Sequence, residues 1–173
     1  MNPGTHLIAG ASVGYIIYGG NILAWWPAIL GSVLPDIIGE SCYQIGRIAK
    51  KKKIKFVYDK EITLSCKDLA NSIYLIPYNT LHSVFILIAF FLLSLPAGFI
   101  IAYATHIALD SFSHEKETWG IMLFWPLSKK RYGGKKNWWE WKAFEHGRWK
   151  LFLIGYILIF AFVFTTWYNF YYQ

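Results

Sequence analysis

Long uncharged runs separated by short polar turns set the pattern of this chain. Apart from His6 no ionic side chain precedes Asp36, and between Asp68 and Asp110 the only ionisable groups besides tyrosines are His82 and His106. Such runs predict helices over residues 7–18, 22–38, 84–95 and 97–109, and a last one over 151–167. The last comes close to the roughly 20 apolar residues that cross a hydrocarbon core. The first four are shorter, so bilayer thinning or polar helix ends in the headgroups must cover the difference. Gly19-Gly20-Asn21 and Leu95-Pro96-Ala97-Gly98 join them in pairs. The expected fold is all-α, a polytopic membrane helical bundle of two helical hairpins plus a C-terminal transmembrane helix.

Composition agrees with lipid as the solvent. Of the 173 residues 55% are hydrophobic and only 16% charged, and the length suits one membrane domain. Its parts read as hairpin 1 (1–40), a basic cytoplasmic linker (41–72), hairpin 2 (73–115), a basic and aromatic interfacial segment (116–150) and the final span (151–173). Thr5 can cap the first helix, Pro35 falls in the last turn of the second, and Ser65 can cap a short helix ending before Pro77. No basic region precedes the first apolar run, which argues against a cleaved signal peptide.

All 17 Lys and Arg fall within residues 47–67 and 116–150, while the two hairpin turns carry none. The positive-inside rule places both blocks in the cytoplasm of a prokaryotic cytoplasmic membrane, with the N-terminus inside and the C-terminus outside. Trp25 and Trp26, and Trp167, Tyr168, Tyr171 and Tyr172, then form an outer aromatic belt. Trp138, Trp139, Trp141, Phe144 and Trp149 among basic residues suit a segment in the headgroup plane, so membrane lipids with anionic headgroups are the expected partners. A net charge of +7 also attracts nucleic acid, but no recognised module is present and positive-inside loops account for the charge. Cys42 and Cys66 lack metal-knuckle spacing and read as reduced and inert.

The candidate chemistry lies at the cytoplasmic helix ends. His106, Asp110 and His114 recur every four residues and form one stripe on a helix, able to grip a single cation. His82 and Asp110 each lie roughly 20 Å from the turn of hairpin 2 at the helical rise, so they meet at one depth. Hairpin 1 repeats this with His6 and Asp36. Singly, each residue fits a helix cap, a headgroup contact or a pair with a basic loop. Together, ionisable groups at this depth need partners, and a shared divalent metal answers that need. Imidazole with carboxylate suits Zn first, with Mn or Fe as alternatives. The metal ligands are therefore His6, Asp36, His82, His106, Asp110 and, less securely placed beyond its helix, His114, either a second-metal ligand or a surface histidine. His146 reads as an interfacial surface residue.

The ordered set Thr5-His6, Leu34-Pro35-Asp36, Leu81-His82-Ser83, His106-x-x-x-Asp110 and Gly120-Ile-Met-Leu-Phe-Trp-Pro126 resembles the YdjM-like membrane-bound metal-dependent hydrolases, some of which are described as LexA-regulated. The resemblance covers residues 5–127 and implies hydrolysis. Relatives often carry Pro-Asp-x-Asp where this chain has Pro35-Asp36-Ile37-Ile38, and an extra histidine where it has Pro77, departures that count against a second metal. The His-x-x-x-Asp helix is also similar to part of the zinc-dependent phospholipase C pattern, which implies phosphoester chemistry by analogy.

The leading expectation is thus a metal-dependent hydrolase acting on a lipid-like phosphoester or related bond, with Asp36 or Asp110 as the catalytic group orienting water. The rival is a structural or regulatory membrane protein fastened by the same metal, distinguished by closed coordination. Transport ranks third, because the polar residues gather at one face and do not line a path at mid-depth.

Overall fold

The computed structural model describes residues 3–55, 64–65, 68–69 and 72–137. Among these lie five α-helices, here named α1 (Pro3–Tyr18), α2 (Trp26–Ala49), α3 (Ile76–Leu81), α4 (Val84–Leu92) and α5 (Ala97–Ser113), with 3-10 turns at Ile22–Ala24 and Ile73–Leu75. No strand occurs among the described residues, only isolated bridges at Glu115–Gly134 and Ile121–Tyr132. The all-helical expectation holds. Residues 138–173, with the expected final span and His146, lie outside the described part, as does Cys66.

Local chemistry explains the breaks. Gly19 closes α1 at φ +62, a conformation that costs glycine nothing, and its amide donates back to the Tyr15 carbonyl. Pro27 and Pro77 stand in the first turns of α2 and α3, where a missing N–H is no loss. Pro77 therefore starts a helix, while of the short helix expected before it only residues 64–65 and 68–69 are described, and these are helical. The expected cap at Thr5 is corrected, because Thr5 falls inside α1, which begins at Pro3.

The larger correction concerns α2. It runs through Pro35, now well inside the helix, and continues to Ala49 across the first part of the supposed linker. Tyr43, Gln44 and Arg47 of that extension are buried while Ile45 and Ile48 are exposed. That amphipathic spacing propagates the helix even though basic residues follow it. The Arg47 guanidinium, fully buried, donates to the Lys53 carbonyl and so ties the helix end to the chain leaving it. At the surface, Lys52 hydrogen-bonds the exposed Asp68, holding that carboxyl below its usual pKa.

The interior holds many polar side chains beside its apolar clusters, and the surface exposes many large apolar ones. His6, Ser32, His82, His106, Asp110 and Ser113 are fully buried, whereas Ile16, Trp26, Ile37, Phe91, Leu92 and Phe112 are each more than half exposed. Water would penalise that arrangement; hydrocarbon favours it. One described stretch, Ile22–Ala49, is long and apolar enough by itself to cross a bilayer, and Ile73–Leu81 with Val84–Leu92, bent by 57°, passes the same test as a pair.

The bend falls at His82-Ser83, and its backbone groups find partners despite the missing helical bonds. Tyr103 Oη donates to the Leu81 carbonyl, and the Val84 amide donates to the Leu123 carbonyl of the following loop. Such protein-covered irregularity is what membrane depth tolerates. Residues 114–137 fold back as turns over this break, with Arg131 donating to the Thr118 and Gly120 carbonyls.

Helix crossings are close because small residues stand there. A Cβ at Gly31 of α2 would collide with the Phe99 carbonyl of α5, and one at Gly10 of α1 with Ser32 of α2. Gly31→Val is therefore expected to destabilise the fold by about 1–3 kcal/mol through overpacking, read as a lower thermal midpoint in detergent.

Candidate metal centre

Four separate segments converge where α1 starts, α2 passes its middle, α3 gives way to α4, and α5 ends. α1 contributes His6, α2 Asp36, the α3–α4 break His82, and α5 His106 and Asp110. His114, the first residue past α5, adopts an extended backbone (φ −108, ψ 143) that turns the chain over the cluster. Three of the six come from one stripe on α5 or its end, as the four-residue spacing predicts.

Asp110 lies at the middle, fully buried. Its Oδ1 is 3.0 Å from His6 Nε2 and 3.3 Å from His114 Nε2; its Oδ2 is 3.4 Å from both His82 Nε2 and His106 Nε2. Ser113 Oγ also donates to Oδ1, at 3.3 Å. Asp36 is farther out, 3.7 Å from His6 Nε2 and 3.8 Å from His106 Nε2, and its side chain keeps 24% of its surface exposed. All six residues predicted from sequence are thus in one cluster, including His114, the least certain of them.

Whether this donor set fits a metal can be decided from the imidazole hydrogen bonds. His82 Nδ1–H donates to the Tyr78 carbonyl at 2.8 Å, and His106 Nδ1–H to the Ser32 carbonyl at 2.6 Å. A carbonyl only accepts, so each Nδ1 carries the proton, and in the neutral form each ring turns a bare Nε2 inward. Those two nitrogens stand 3.1 Å apart. Two lone pairs at that distance, facing a carboxylate, repel unless a positive charge lies among them. Ligand atoms ~2.0–2.1 Å from a tetrahedral ion are about 3.3 Å apart, the spacing found here. One ligand atom from each of His6, Asp36, His106 and Asp110 lies within 4.8 Å of the other three. Asp36 Oδ2 is buried with no hydrogen-bond partner among the described residues, an oxygen a cation would satisfy. The residues fit a divalent metal.

The surrounding contacts hold the clustered side chains in place. Tyr78 stacks on the His82 ring at 4.1 Å and donates its hydroxyl to the Trp119 carbonyl at 2.6 Å, locking the ring beneath the loop. His6 and His106 lie ring on ring at 3.9 Å. Beyond the helix end, burial lowers the His114 imidazole to a pKa of about 4, so it is neutral at pH 7 and retains a lone pair. Sequence reading missed the orienting carbonyls of Ser32 and Tyr78. Backbone acceptors carry no residue signature, although Tyr78 stands four before His82, one helical turn away.

Comparison with known proteins returns a family model described as YdjM inner membrane protein, matching residues 1–172. No curated protein and no solved structure matches the chain.

Proposed function

Since the chain belongs to the YdjM inner membrane protein family, we propose that its His/Asp cluster is the centre of a membrane-embedded metal-dependent hydrolase. The bond is a phosphoester or a related bond of a lipid-like substrate, and the ion is zinc, with manganese or iron as alternatives. One observation supports this above the others: the inward Nε2 atoms of His82 and His106, 3.1 Å apart and each 3.4 Å from Asp110, form a preorganised, electron-rich donor set.

A bound divalent ion supplies Lewis acidity, polarising a phosphoryl or acyl oxygen and making water nucleophilic at neutral pH. The chain's own groups do the rest. The carbonyls of Ser32 and Tyr78 fix the imidazole tautomers, and Ser113 steadies the Asp110 carboxylate. Asp110 is enclosed, whereas Asp36 keeps an open edge, so Asp36 is the carboxylate able to orient an incoming water. Basic residues after α2 and around residues 129–136 suit an anionic headgroup, with the site toward the cytoplasm and the C-terminus outside.

The test is release of headgroup or phosphate from phosphatidylglycerol or phosphatidic acid in mixed micelles, with Zn²⁺ or Mn²⁺ supplied. Metal-dependent turnover is expected, and Asp36→Asn should lower it by about 100-fold or more, the range for loss of a group acting on the attacking water. The enclosure of Asp110 favours one second reading, a metal that fastens the helices without chemistry. Metal-loaded protein inert toward both lipids, and toward polyprenyl phosphate, would select it.

A further inference from the structure

Both carboxylates turn one oxygen toward His6 and the other toward His106. Asp110 Oδ1 faces His6 and His114, at 3.0 and 3.3 Å, while Oδ2 faces His82 and His106, each at 3.4 Å. Asp36 repeats the division, with Oδ2 3.7 Å from His6 and Oδ1 3.8 Å from His106. A chelating carboxylate would aim both oxygens at one ion, whereas here the two oxygens diverge toward different nitrogens.

We infer that the cluster holds two divalent cations bridged by Asp36 and Asp110, one on His82 and His106, the other on His6 and His114. Each cation then has two imidazole nitrogens and two carboxylate oxygens, a four-ligand set of the kind zinc takes. Bridging carboxylates suit the ~3.5–4 Å separation of two-metal phosphoester sites. Six ligands on a single ion would also leave no position for substrate, while two four-ligand ions remain able to expand. Two carboxylates offset only half the charge of two divalent cations, leaving an excess that complements a phosphomonoester dianion. His114 is then the second-metal ligand, although the departures at Ile38 and Pro77 count against a second metal. The inference rests on the metal-centre reading above and sharpens it to a pair.

The test is Mn²⁺ loading of the chelator-stripped full chain in detergent, with metal counted by mass spectrometry after desalting and followed by electron paramagnetic resonance. Wild type is expected to retain about two equivalents and to show an exchange-broadened signal, the mark of ions at the ~3.5–4 Å spacing. His114→Ala and His82→Ala, on opposite sides, should each fall to one equivalent with the resolved six-line spectrum of an isolated ion. Elution volume and circular dichroism establish which variants are folded, and either folded variant suffices. One equivalent in wild type, unchanged in His114→Ala, overturns the pair and leaves a single-metal hydrolase standing. Loss of all metal binding in folded wild type removes both.

Discussion

Chelator treatment of the wild-type chain is expected to lower its thermal midpoint in detergent, and restoring zinc or manganese to bring it back. The candidate ligands come from α1, α2, the α3–α4 break, α5 and the loop after it, so one bound ion would tie α1 through α5 together. Without a cation, the Nε2 atoms of His82 and His106 face each other at 3.1 Å beside a buried carboxylate. That arrangement is costly in low dielectric. An ion present at a hundred times its dissociation constant stabilises the folded state by about 2.7 kcal/mol. At about 2–4 °C per kcal/mol for a chain of this size, the shift is roughly 5–10 °C. An unchanged midpoint would show that the cluster is satisfied by its own protons.

Asp110→Ala is expected to abolish both metal retention and hydrolysis. Among the described residues Asp110 is the one whose carboxylate lies within 3.4 Å of His6, His82, His106 and His114 alike, so its loss removes the negative charge that would hold a cation among them. Changing a residue that merely orients a ligand costs 10–100-fold in metal affinity, so the central ligand should cost more than about 100-fold. Asp110→Asn, which preserves shape and removes charge, should behave alike. Cys42→Ala is the matched control, since that thiol is free and half-buried six residues beyond Asp36 on α2, and it should alter neither property. Metal analysis after gel filtration reads both results.

The site was legible in the sequence because few residues interrupt the apolar runs. His6, Asp36, His82, His106 and Asp110 are conspicuous for standing where charge is expensive, and helical rise alone placed them at one depth. His114 was harder to place, because its position depends on where α5 stops and on the extended turn that carries it back over Asp110. Helix boundaries were less legible. Basic residues from Arg47 onward suggested a linker, but burial of Tyr43, Gln44 and Arg47 keeps α2 helical to Ala49. The short helix α3 was not foreseen, since Pro77, taken as lying beyond a helix end, also suits the first turn of a new one. The bend at His82-Ser83 had no local signature, because Tyr103 and Leu123, distant in sequence, satisfy its backbone.

The most direct test of the central claim is the metal content of the full chain, purified in mild detergent without added metal and then after incubation with zinc or manganese. The cluster predicts at least one tightly held divalent ion per chain that survives gel filtration. A folded wild-type protein that holds no metal under either condition would contradict the account.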